Sequence, residues 1–453
     1  MKRLLACTFS LILLNACGGG GGGSPAASNT PASGQSNGSA QYAGICQPAA
    51  EKSWVRAHLD DVYLWYREIE DKPAQNYSTP QSYFDALLVS RRDRFSFTAP
   101  QSDIDDFFDS GAEISYGLNY LKQGELIRIA YNEPGSPAEL AGIRRGANLL
   151  SINGAPLAQY SASQRKSLLN PHTLGASARL LFQQEGSLLD VTLQAQRVVK
   201  APVQNVKVIS SANGKRVGYL QFNDHISSAE NLLRNAFMQF VLANVDELVL
   251  DLRYNGGGYL DIASQVASMS AGPVVQGKVF ERQIFNDKHS AWTNDPASTL
   301  GFRNTTSDGR QLPQLAMKRV FVLSSADTCS ASEAIINGLR PFVPVITIGR
   351  ATCGKPYGFY QENNCGTAYF AVEFYGVNQN GQSVPTEGMA ATCAVEDDLS
   401  HALGDSREGM LAAALYYIER GSCPSAAQSR ARQRNLSAAL LERSAWRSVA
   451  LRR

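Results

Sequence analysis

Thr328-Cys329-Ser330-Ala331-Ser332-Glu333 is the stretch on which the fold turns. An apolar run, Val320 to Ser324, precedes it and reads as a buried strand; Ser332 to Leu339 follows it and reads as a helix. A serine on such a strand-to-helix turn sits at the positive end of a helix, where developing negative charge is favoured. Most serines at a helix start only cap it, so this one needs companions before chemistry is assigned to it.

Two further runs supply them. Gly349-Arg350-Ala351-Thr352-Cys353-Gly354-Lys355 follows a second apolar run, Val345 to Ile348. Burial in this stretch of low charge would lower the lysine pKa and yield a neutral amine able to act as a base. Asp251-Leu252-Arg253-Tyr254-Asn255-Gly256-Gly257-Gly258 follows a third run, Glu247 to Leu252. Glycines after a buried strand let backbone N–H groups approach an anion, which acyl transfer requires. With the strand Val217 to Phe222 and the helix Ala263 to Met269, these runs alternate as an α/β domain, taken as residues 201–423. His225, just beyond the strand that ends at Phe222, is the best candidate for a Ser-His arrangement, against a capping or exposed role.

Upstream, residues 110–200 change to short strands and turns. Ser136 can cap a short helix opened by Pro137, Gly142 can end it, and Asn153-Gly154 suits a tight hairpin. Residues 46–109 read as a helical segment, with helices predicted at Lys52 to Ile69 and Pro80 to Val89 and no chemistry of their own. Before them, residues 17–45 begin with Cys17 and six glycines and continue in Ser, Pro, Ala and Asn, the composition of a flexible linker. Residues 1–16 carry Lys2, Arg3 and an apolar run too short to span a bilayer, as a signal peptide does. Residues 424–453 are an Arg-rich tail, with a helix conceivable around Leu436 to Trp446 and surface contact or disorder as the default.

Together the three runs resemble the catalytic domain of the carboxy-terminal processing peptidases, serine peptidase family S41. That family shows a D-L-R-x-N-x-G-G loop, then S-A-S-E, then a G-K turn, in this order. The resemblance implies an enzyme with Ser330 as nucleophile and Lys355, 25 residues later, as general base. Oxyanion donors would be the N–H groups of Ala331 and, most simply, Gly257. Many members have Gln four residues after the lysine, helping to orient it; Phe359 stands there in this chain, which leaves Glu333 or Gln361 as substitutes. Residues 110–200 resemble a PDZ domain, whose carboxylate loop would be Ser115-Tyr116-Gly117-Leu118, with Gly117 and Leu118 offering N–H groups to a substrate C-terminus. Leu14-Asn15-Ala16-Cys17 resembles a lipoprotein signal, with Cys17 acylated and the body anchored in a bacterial cell envelope, at the outer membrane facing the periplasm or the outside.

The overall expectation is an α/β (α+β) multidomain chain: an N-terminal helical segment, a PDZ-like β domain and an α/β serine-peptidase core. It would act on protein or peptide substrates, with a catalytically silent PDZ-containing scaffold lipoprotein as the alternative. No metal or cofactor is implied: the chain has no HExxH and no CxxC. A net charge of +2 with no basic stripe makes nucleic acid a poor partner. Two short motifs are decoys: Gly34-Gln35-Ser36-Asn37-Gly38 lies in the linker, and Ser163-Gln164-Arg165-Lys166 lacks companion motifs. Setting aside Cys7 in the signal and the acylated Cys17, six cysteines remain, an even number that points to disulfides in an exported chain. If Ser330 and Lys355 meet, Cys329 and Cys353 are neighbours and pair. Cys365–Cys393 and Cys46–Cys423 would then be the others, with different pairings open.

Overall fold

A computed structural model describes residues 38–425, 439–440 and 450–451. The signal segment, Cys17 and most of the linker and tail lie outside the described residues.

The central sheet has six strands in the order Val203–Ser210, Arg216–Phe222, Glu247–Asp251, Val320–Ser324, Val345–Gly349, Cys393–Ala394. The first pair is antiparallel and the rest are parallel. Glu247–Asp251 and Val320–Ser324 are buried at every position, as strands covered on both faces must be. Helices Ala229–Leu242, Leu260–Ala271 and Ala331–Leu339 share the large apolar core with one face of this sheet. Helix Gly409–Arg420 packs on the other through Met410, Leu411 and Ala414. The functional turns therefore lie beyond the carboxyl ends of the parallel strands, where α/β sheets place their ligands.

The first helix runs Pro48–Val62 and buries Trp54, Val55, Leu59 and Val62 along one stripe. It stops short of the predicted Ile69 because tertiary pairing takes over: the Leu64 N–H donates to Val372 O at 2.8 Å, and only a short 3₁₀ turn, Tyr66–Glu68, follows. Helix Pro80–Leu87 starts at a capping box between Thr79 and Ser82. Strand Phe97–Pro100 then pairs antiparallel with Thr367–Phe370, Phe97 opposite Phe370.

That pairing explains two corrections among the disulfides. The bridges are Cys329–Cys353, Cys46–Cys365 and Cys393–Cys423. The first is as expected; Cys365–Cys393 and Cys46–Cys423 do not form. The N-terminal helix packs on the hairpin of residues 362–370, Gly44 N–H donating to Asn364 Oδ1 at 2.9 Å, so Cys46 meets Cys365. Cys393 lies on the sheet's edge strand, while Gly421, in the left-handed conformation at φ 71°, ends helix Gly409–Arg420 and returns Cys423 to that edge.

Residues 112–199 form a small antiparallel module around Tyr120, Ile129, Leu149, Leu180 and Phe182. Ser136 caps its short helix Pro137–Leu140, and the Asn153-Gly154 turn has positive φ at both residues. Strand Leu118–Gln123 leads the main sheet of the module and pairs on one side with Leu126–Asn132. Its other side pairs with Ala439–Leu440 of the tail. These two tail residues are extended, not helical as the sequence allowed; backbone pairing with an open strand edge outweighs local propensity there.

Candidate active site

Ser330 is the N-cap of helix Ala331–Leu339 and holds φ 59°, ψ −116°. A non-glycine residue in so sparsely populated a region costs about 1–3 kcal/mol and marks a functional constraint. Its turn is fastened on both sides: Cys329 N–H donates to Asn255 O, and Ser332 Oγ donates to the same carbonyl at 3.0 Å. The glycine loop and the serine turn are thus one construction. Ala331 opens the helix, so its N–H is one of the first amides, for which a helix offers no internal partner.

Lys355 is 2% exposed and lines the same narrow cleft as Ser330, with Leu260, Glu281 and Phe374 among the walls. Burial lowers its pKa to about 7, against the opposing pull of the Asp93 and Glu333 charges. Its Nζ lies 4.1 Å from the Phe359 ring centre and 5.1 Å from that of Phe95. The residue standing in the family's Gln position therefore presents a π face to the amine, a contact that favours the charged form. Ser330 Oγ is buried and makes no hydrogen bond among the described residues. The serine and lysine share the cleft without a closed Ser–Lys hydrogen bond.

Glu333 joins the two turns. Its carboxylate accepts from the N–H groups of Ser330, Gly354 and Lys355, each at 2.9 Å, and from Thr352 Oγ1 at 2.5 Å. Burial raises its pKa, and these donors pull it back. It holds the lysine's backbone in place; its oxygens are occupied by amides. Gly354, at φ 78°, is required: a Cβ there would lie 2.2 Å from Thr386 O. The Cys329–Cys353 bridge makes the same connection covalently.

Three residues singled out by the sequence stand otherwise than expected in this conformation. Gln361 Nε2 donates to Asp105 Oδ1 and Asn363 Oδ1, both at 3.1 Å, so it is engaged elsewhere and is no partner of Lys355. It sits directly before the hairpin of residues 362–370, beyond the lysine turn. The Gly257 N–H donates to Asn255 Oδ1 at 2.9 Å, so in this conformation it is not free to receive an oxyanion. His225 is fully buried, neither capping nor exposed: its Nδ1 meets Asn255 Oδ1 at 3.0 Å and Gly257 O at 3.2 Å, and burial drops its pKa to about 3. It braces the glycine loop as a neutral ring.

Sequence reasoning missed the contribution of the N-terminal segment. Asp93 and Phe95 both bear on Lys355, and Asp93 is itself held by Tyr63 Oη at 2.8 Å and the Phe95 and Ser96 amides. Nothing in their spacing marks them; only the Phe97–Phe370 strand pairing brings them in. Sequence reasoning also missed a buried ion network. Arg253, 1% exposed, donates to Asp251, Asp397 and Glu408, while Arg145 of the small β module reaches Asp397 at 2.6 Å and Tyr254 Oη at 2.6 Å. The module is thereby clamped to the residue two before Gly256. Gly117 donates its N–H to Ser115 Oγ at 3.1 Å, and Leu118 begins the edge strand beside it.

Residues 216–391 match the model of peptidase family S41, and residues 50–97 match the peptidase S41 N-terminal domain. The carboxyl-terminal-processing protease of Picosynechococcus is 24% identical over 249 residues, 52% of this chain and 53% of that protein. A probable CtpA-like serine protease of Staphylococcus saprophyticus is 25% identical over 310 residues, 66% of this chain and 57% of that protein. The chain thus spans little more than half the length of these curated relatives. A solved putative S41 protease from Bacteroides fragilis superposes with TM-score 0.63 at 26% identity, covering 81% of this chain and 97% of that one. The serine turn, the lysine turn and the glycine loop all lie inside the matched span, so residues 216–391 are similar to peptidase family S41 and residues 50–97 to that family's N-terminal domain.

Proposed function

We propose that the protein is a serine endopeptidase acting on protein or peptide chains through a Ser330–Lys355 dyad. The observation that carries this is a single cleft lined by a strained, unpartnered serine and a buried lysine whose pKa falls to about 7. Neutral Lys355 Nζ takes the proton of Ser330 Oγ as that oxygen bonds to the substrate carbonyl carbon. The resulting oxyanion is received by the Ala331 N–H and, once the loop turns it away from Asn255, by the Gly257 N–H. The carbon–nitrogen bond breaks as Lys355 returns its proton to the leaving amine. Water, deprotonated by the same lysine, then releases the acyl group. Glu333 acts as a positioning residue.

In this proposal residues 110–200 serve as a PDZ-like module that takes a substrate's C-terminal end by strand addition, with Gly117 and Leu118 at the carboxylate. Cys17 carries a lipid that tethers the body to the cell envelope. Digestion of casein and of tagged peptides by wild type, Ser330→Ala and Lys355→Ala tests the reading. Cleavage by wild type alone supports it. No cleavage by any of the three, with C-terminal peptide binding retained, favours the scaffold instead.

A further inference from the structure

The tail makes a second contact besides the one on the small β module. Ala450 and Leu451 pair in parallel with Gly258 and Tyr259, the residues that close the glycine loop. On its other side Leu451 bridges Phe359, whose ring lies 4.1 Å from Lys355 Nζ. Leu451 is 3% exposed and belongs to the apolar cluster of Ile226, Phe97, Phe359 and Phe370. Ala450–Leu451 thus runs between Gly258–Tyr259, which directly follow Gly257, and Phe359, four residues beyond the lysine.

Two separate strand edges are therefore taken by the same short segment: Leu121–Lys122 by Ala439–Leu440, and Gly258–Tyr259 by Ala450–Leu451. Nine residues, 441–449, lie between the two footholds, a reach of at most about 33 Å. Both modes are strand addition, in which backbone hydrogen bonds give affinity and side-chain pockets give selectivity. We propose that the slot between Gly258–Tyr259 and Phe359 is an extended-peptide subsite of the peptidase, and that Ala450–Leu451 occupy it in cis as a competitor of substrate. The proposal rests on the peptidase reading above. Pairing at Gly258 also coincides with the Gly257 amide being turned into Asn255, so the tail is seated on a resting loop. A tethered competitor acts at an effective concentration in the millimolar range, far above that of most substrates.

The test compares the full chain with a chain ending at residue 425 and with a full chain carrying Leu451→Asp. Both variants are expected to keep a cooperative melt, to lower KM for a reporter peptide at least tenfold, and to change kcat by less than about twofold. A synthetic peptide of residues 435–453 should inhibit the shortened chain competitively, and the same peptide with Leu451→Asp should not. Unchanged KM in both folded variants overturns the proposal, as does failure of both to fold, which would make the strand a piece of the core. If no form cleaves anything, the peptidase reading has failed. The subsite is then judged by anisotropy of the labelled 435–453 peptide on the shortened chain carrying Ser330→Ala: saturable binding abolished by Leu451→Asp upholds the slot, and no binding refutes it.

Discussion

Replacing Lys355 with methionine should stabilise the protein, and the gain should shrink as pH rises. Burial moves the amine from an ordinary value of 10.5 to about 7. At 1.36 kcal/mol per unit, the folded state pays up to about 5 kcal/mol for holding the charged form below pH 7. Because the folded pKa is the lower one, the unfolded chain binds more protons between pH 7 and 10.5. Stability of the wild type therefore rises with pH across that window, while the methionine variant lacks this slope. Between pH 7 and 9 the difference between the two should narrow by about 2.3 kcal/mol, the slope at pH 7 being half its full value. Urea melts of both proteins at pH 6, 7, 8 and 9 measure it directly. In parallel, kcat/KM of the wild type should climb with an apparent pKa of about 7 as the base becomes neutral. A constant stability difference across these pH values, or an activity profile flat between pH 6 and 8, would show that the lysine is charged throughout and refute the argument.

Other substitutions read the surrounding construction. Phe359→Leu removes a π face that favours the ammonium, worth about 0.5–2 kcal/mol, so the acid limb of kcat/KM should move down by about 0.5–1.5 units. Glu333→Gln turns one acceptor of backbone amides into a donor facing them and should cost about 3 kcal/mol in urea melts, with kcat falling alongside. Breaking the bridge with Cys329→Ser and Cys353→Ser together should cost about 3 kcal/mol by the loop-entropy argument, seen as a lower melting temperature that no longer responds to reductant at that site. Arg253→Met leaves Asp251, Asp397 and Glu408 without their shared cation and should destabilise by about 3–5 kcal/mol.

The α/β core was legible because its strands are apolar runs ended by turns with distinctive residues. Val320–Ser324 and Ala331–Leu339 follow from the sequence to within a residue, and so does the meeting of Cys329 with Cys353. What the sequence concealed depends on which element packs on which. Asp93 and Phe95 reach the lysine only because a strand some 270 residues away in the chain, Thr367–Phe370, accepts Phe97–Pro100 as a neighbour. The same docking sent Cys46 to Cys365, and no spacing rule anticipates that. Gln361 failed as an orienting residue because periodicity does not say that the chain turns away after Phe359, leaving an aromatic ring at the amine in place of an amide. The tail is the sharpest case. Its Arg-rich composition favours no structure, yet Ala439–Leu440 and Ala450–Leu451 find open strand edges whose existence only the folded body discloses.

The most direct examination of the dyad is labelling by a fluorophosphonate probe, with the modified residue identified by peptide mapping across pH 5 to 9. Label is expected on Ser330 alone, rising with a midpoint of about pH 7, and lost in Lys355→Ala. Label on another residue, or label on Ser330 indifferent to pH and to the lysine, would contradict the assignment of Lys355 as the base.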